Sequence, residues 1–241
     1  MKVAMVTSIL LGALAHAVPV GAQHKHGDTT RMLGAADAAM SGPMSENAKR
    51  HMRTTPTRRV THEDSARALA VAEELRVALA KYADTAAAVA DGFEMFMPNV
   101  KEQRVYHFTN RRNALLEAFR FDAARPTSLI YRRGANGKLE LIGGMYTAPR
   151  LMRTARLDGR VPLSVASWHQ HVNWCVPPKS QNERWLERRG GAPLFGPESP
   201  IATRAECEAV GGVFHPNVFG WMIHSNVFLG SDLETVFGHE H

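Results

Sequence analysis

The spacing of apolar residues changes its period once along the chain. Leu69, Ala72, Leu75, Leu79, Tyr82, Ala86, Val89 and Phe93 recur at intervals of three and four, which places them on one face of a helix. Thr61 is a residue type that caps helix N-termini, and Glu63 and Asp64 put acids in the first turn, where the helix dipole favours them. Gly92 weakens the helix and Pro98 forbids its continuation. The pattern predicts one long amphipathic N-terminal helix whose apolar stripe packs into a core.

From residue 105 the period shortens to two. Val105-Tyr-His-Phe-Thr109 alternates and sets His107 opposite Tyr106 and Phe108. Asn113 to Arg120 reads as a short helical turn, and Asp122-Ala-Ala-Arg-Pro126 as a turn, because Pro126 biases Arg125 away from helix. Ser128-Leu-Ile-Tyr-Arg132 and Leu139-Glu-Leu-Ile-Gly143 flank a loop containing Asn136-Gly137, the clearest hairpin in the chain. Gly143-Gly144 suggests a bulge or a close backbone approach. Residues 149–162 are polar and Arg-rich, as in a surface connection, and 179–203 form a long loop dotted with Gly and Pro. Glu206 to Val210 reads as a helical turn carrying Cys207. One long helix and five or six strands in about 180 residues fit a single α+β domain over 61–241, with the helix on a mainly antiparallel sheet.

Two stretches carry most of the chemistry. In Trp168-His-Gln-His-Val-Asn-Trp-Cys175, strand alternation sends His169, His171, Asn173 and Cys175 to one face and Trp168, Gln170, Val172 and Trp174 to the other. In Trp221-Met-Ile-His-Ser-Asn-Val-Phe228, the same rule groups Met222, His224, Asn226 and Phe228 against Trp221, Ile223, Ser225 and Val227. Paired strands of this kind gather His169, His171 and His224 into a three-imidazole set, with His107 as alternative third or fourth member. Neutral imidazole is a good ligand for copper and zinc, and two histidines at i and i+2 project from the same side of a strand. Asn173 and Asn226 suit the hydrogen bonds that fix ring orientation. Asp122 and Glu94 are carboxylate candidates only through tertiary contact, and His215, beside a proline in a turn, ranks lower. The bland alternative is a buried polar network of His and Asn with no ion.

Composition changes the picture at the ends of the chain. Lys2, the apolar Val3 to Ala15 and the small-residue Val20-Gly21-Ala22 give residues 1–22 the form of a secretory signal, too short in its apolar part to span a bilayer. Localisation is therefore expected to be exported, periplasmic or extracellular, with no stable membrane span after cleavage. Residues 23–60 lack a repeating apolar face and carry seven Lys or Arg against three acids, so they read as a disordered basic tail in which His24, His26 and His51 are solvated. The formal charge of the chain is +6. With that tail and Lys2 set apart the remainder is nearly neutral, which excludes a basic nucleic-acid face. Export makes Cys175 and Cys207 a disulfide pair. The competing reading makes Cys175 a thiolate ligand beside the histidines in a copper site.

Several blocks occur together in a familiar order: Tyr106-His-Phe-Thr-Asn110, Phe121-Asp-Ala-Ala-Arg-Pro-Thr-Ser-Leu129, Gly144-Met-Tyr-Thr-Ala-Pro149, Val161-Pro-Leu-Ser-Val165, the Trp168 row with its Trp-His-x-His start, Gly211-Gly-Val-Phe214 and Phe219-Gly-Trp-Met-Ile-His224. Over residues 60–230 the chain resembles a family of uncharacterised exported bacterial proteins. That resemblance implies no activity.

Three functions fit these residues. The first is an exported metal-binding protein with a three-His copper or zinc site on two adjacent strands. The second is a metal-dependent enzyme that uses an open coordination position to activate water or oxygen. The third is a metal-free exported module that holds a small molecule in a His/Asn/Trp pocket. A serine nucleophile is not supported, because Ser167 sits in no Gly-x-Ser-x-Gly elbow. No glycine loop of the phosphate-binding type is present either.

Overall fold

The computed structural model describes residues 45–96, 98, 103 and 105–238. The expected signal segment, most of the expected tail and His239 lie outside the described residues. The elements are α1 (Glu46–Arg50), β1 (Met52–Thr54), α2 (His62–Leu79), α3 (Thr85–Ala90), β2 (Glu94–Met95), β3 (Val105–Thr109), α4 (Arg111–Glu117), β4 (Ser128–Arg133), β5 (Leu139–Ala148), α5 (Thr154–Asp158), β6 (His169–Val176), β7 (Arg188–Arg189), β8 (Ala192–Pro193), α6 (Arg204–Ala209), β9 (Val213–Asn217), β10 (Trp221–Ser225) and α7 (Leu233–Phe237). The main sheet runs β1-β6-β10-β5-β4-β3-β2, with β9 also paired to β6. The strand pairings among the described residues are antiparallel. Mixed helix and antiparallel sheet make this an α+β fold. No helix among the described residues is long and apolar enough to cross a membrane.

The single long helix expected from Thr61 to Phe93 does not form. Thr61 does cap α2, its hydroxyl accepting from the Asp64 N–H. The helix then gives way to a 3-10 turn over Ala80–Ala83, with Tyr82 at φ −97° and ψ 19°. Asp84 is extended and caps α3 by accepting from the Ala86 N–H at 2.8 Å. That restart rotates the buried face. Ala68, Ala72, Leu75 and Leu79 are buried along α2 and Ala88 along α3, while Leu69 is 47% exposed and Val89 59% exposed. A period count cannot see the break, because Asp is tolerated in a helix and favoured at a cap.

Residues facing each other across antiparallel strands share a face. Tyr106, Phe108, Leu129, Tyr131, Tyr146, Ala148, Trp221 and Ile223 lie on the face that packs with α2, in one apolar core that also takes in Trp168 and Val236. The hairpin β4–β5 forms as expected, with Gly137 at φ 77° in its loop. Gly143 is a close backbone approach, since a Cβ there would lie 2.0 Å from the Ser225 carbonyl oxygen.

Residues 45–60 correct the expected tail. Ala48, His51 and Thr55 are buried, and β1 pairs with β6 through Met52↔His171, Arg53↔Gln170 and Thr54↔His169. The low apolar content of the segment misleads because its order comes from backbone pairing to a strand edge, which leaves no apolar period. The Cys175–Cys207 disulfide is present, with Cα atoms 5.5 Å apart, so Cys175 is not a metal ligand.

Candidate functional site

The opposite face of the sheet carries the histidines. Met222 pairs with His169, His224 with Met145, Met145 with Ser128 and Ser128 with Thr109, while His107 pairs with Ile130 on the same side. His171 follows His169 on that face. In a flat sheet, β3 and β10 would stand three strand spacings apart, about 14 Å. The His107 and His224 ring centres are instead 5.5 Å apart, so the sheet curls and this face is concave. Curling joins four rings in a chain, with His224 to His169 at 5.6 Å and His169 to His171 at 5.5 Å. The expected set of His169, His171, His224 and His107 is therefore brought together.

The rings differ in setting. His107, His169 and His171 are buried, whereas His224 is partly exposed. Among the described residues, both ring nitrogens of His107 and Nε2 of His171 have no hydrogen-bond partner. Burial pushes the His107 pKa down to about 4. Burial first, then the neighbouring His107 and His51 rings, does the same to His171, also to about 4. Both are neutral imidazoles at pH 7. Among the described residues, no three His, Cys, Asp or Glu side chains stand as a group able to hold a metal ion in the present ring orientations. The rings gather as expected, but their nitrogens do not converge on one point.

Three expectations need correcting here, at Asn173, at the two carboxylates and at His51. Asn173 adopts φ 58°, a left-handed conformation that breaks strand alternation, so Trp174 swings to the histidine side and stands 5.5 Å from the His171 ring. The Asn173 Nδ2 donates to the Arg50 carbonyl at 3.2 Å rather than to an imidazole. Asn226 is buried but lies past the end of β10, so alternation no longer sets its direction. Asp122 and Glu94 face arginines, Arg125 and Arg111, at 3.5 and 3.7 Å. His51, assigned above to a solvated tail, is buried and its Nε2 bonds the Ser199 carbonyl at 2.7 Å. His215 is exposed on β9, as its lower rank implied.

His107 also lines a pocket of about 660 Å³ on the concave face. Its floor includes Thr109, Ser128, Met145, Thr147 and Met222, and its walls include Ala114, Ala118, Phe96 and Phe219. Behind the floor lies a group the sequence did not single out. Glu117 is 2% exposed, at the end of α4. Its Oε2 accepts from the Thr127 hydroxyl at 2.5 Å and from the Thr147 N–H at 3.0 Å, and Oε1 has no partner among the described residues. Arg160 donates to the Glu117 and Thr147 carbonyls at 2.7 and 3.0 Å. No spacing signal marks Glu117, which sits in a short run that otherwise reads as a surface helix.

Burial raises the Glu117 pKa to about 7, against the lowering by Thr127, Thr147 and Arg160. A carboxyl raised in the folded state contributes stability that is full below its unfolded value near 4.5 and is lost as pH climbs toward 7. Glu117→Gln is expected to remove that slope, so that the wild-type protein loses about 3 kcal/mol relative to the variant between pH 4 and 8. Urea unfolding at a series of pH values checks this; parallel profiles for the two proteins would refute it.

No family model matches the chain, and no curated protein and no solved structure matches it.

Proposed function

We propose that the protein is an exported metal-binding protein, with copper or zinc held by imidazoles of His107, His169, His171 and His224. The observation that carries this reading is the spacing of the four rings, 5.5 to 5.6 Å between successive centres. Two imidazoles that share one ion through bonds of about 2.0–2.1 Å hold their ring centres about 5 Å apart. For each of these three pairs, turning the rings about their side-chain torsions is the main change that sharing an ion requires. The orphaned nitrogens of His107 support the reading too, because a buried polar group without a partner costs about 1–3 kcal/mol, which a bound ion would offset. The disulfide agrees with an oxidising compartment.

The protein, recovered from its exporting compartment, is expected to contain near-stoichiometric copper or zinc by elemental analysis. After chelation it should rebind one of them, and His171→Ala and His224→Ala should each weaken binding at least tenfold. His215→Ala should not. Wild-type affinity in both cluster variants, with circular dichroism showing an intact fold, would sink the proposal. A second reading, a metal-free module for a small organic molecule, is favoured by the present ring orientations and by the pocket at His107.

A further inference from the structure

We propose that the concave-face pocket binds a neutral organic molecule with a flat or alkyl apolar body and a hydroxyl group, the hydroxyl donating to Thr147. This deepens the second reading above by naming the ligand class, and it rests on the pocket being a ligand site. It requires no metal, since pocket and imidazole cluster share only His107 among the four rings.

The volume of about 660 Å³ lies within the range of small-molecule sites. Phe96 and Phe219 approach edge to face at 6.5 Å on one side, and Met145 and Met222 supply adaptable apolar floor. The polar end is defined by where its protons go. Thr127 spends its one hydroxyl proton on Glu117 Oε2. Oε2 also accepts from the Thr147 N–H, a donor that cannot reverse, so when Glu117 is protonated the proton resides on Oε1 and the Thr127 bond keeps its direction. The Thr147 hydroxyl proton then goes to the Thr127 oxygen at 2.6 Å, with Glu117 Oε2 a longer second acceptor at 3.4 Å. Both protons point inward, and the Thr147 oxygen keeps lone pairs with no further proton to offer. At Thr147 the pocket therefore accepts and does not donate. Arg150, also lining the pocket, disfavours a cationic donor such as an ammonium. A neutral hydroxyl is the donor that suits Thr147.

The probes are 2-naphthol and 2-methoxynaphthalene, which share an apolar body and differ in the donor. Titration of the full chain, followed by naphthalene fluorescence, is expected to give saturable one-site binding of 2-naphthol, with 2-methoxynaphthalene at least fivefold weaker. Thr147→Val should abolish the difference while leaving 2-methoxynaphthalene binding unchanged. The comparison of the two probes on the unaltered protein needs no variant, so a poorly folded Thr147→Val protein leaves the test intact. Repeating the titration in excess chelator should give the same constants. No saturable binding of either probe overturns the pocket as a ligand site and with it the second reading. Saturable binding with equal affinities overturns the hydroxyl assignment alone.

Discussion

Reduction of the Cys175–Cys207 bond is expected to lower the melting temperature by about 7–14 °C. The bond spans 32 residues, and in the chain-entropy account a loop of that size corresponds to roughly 3–4 kcal/mol. For a folded unit of about 180 residues each kcal/mol moves the melting temperature by about 2–4 °C. The loop it closes carries little regular structure of its own. Its regular structure is a 3-10 turn over Asn182–Leu186, the two-residue strands β7 and β8, and α6. Its apolar core is small, with Leu194, Phe195 and Ile201 packed around the two sulfurs. Arg184 holds the rim through the Val210 carbonyl at 2.8 Å and the face of the Phe195 ring. Gly212 completes the fit, since a Cβ there would lie 2.5 Å and 2.8 Å from the two sulfurs. Calorimetry with and without a phosphine reductant, with thiol counting to confirm cleavage, measures the shift. A change below about 2 °C would show that the small core orders the loop unaided.

What could be read ahead of the structure divides along a physical line. Local rules succeeded where one residue type acts alone: the Thr61 cap, the Asn136-Gly137 hairpin, the close approach at Gly143 and the cysteine pair. Strand alternation placed His169, His171 and His224 on one face, because β6 up to Asn173 and β10 up to Ser225 are regular. It failed at Asn173, where one left-handed residue re-aims Trp174. The nearness of His107 comes from sheet curvature, a sum of small twists over β10, β5, β4 and β3 that no short window encodes. Glu117 was illegible for a related reason. Its burial is produced by Thr127, Thr147 and Arg160, residues 10 to 43 positions away.

Removal of residues 1–60 is expected to lower the melting temperature by more than 10 °C, whereas a disordered tail over 23–60 would leave it unchanged. The described part of that segment completes the sheet. Thr55 exchanges two bonds with Trp168, its N–H donating to the Trp168 carbonyl at 2.8 Å and its hydroxyl accepting from the Trp168 N–H at 3.1 Å. The His51 carbonyl accepts from the Val172 N–H at 2.9 Å, and the β1 ladder covers the edge of β6 between these points. Further along, Arg58 pairs with Asp64 at the start of α2 and with Asp158 at the end of α5, tying the two helices together. At about 1 kcal/mol for each backbone bond exchanged for water, plus the buried Ala48, His51 and Thr55, the loss comes to roughly 4–6 kcal/mol. The edge it uncovers is the strand that carries His169 and His171. Exposure of β6 should therefore appear twice, as a lower calorimetric transition and as faster amide exchange from His169 to Val172 than in the full chain. A melting temperature within about 2 °C of the full chain, with those amides still protected, would show that β6 needs no partner on this side.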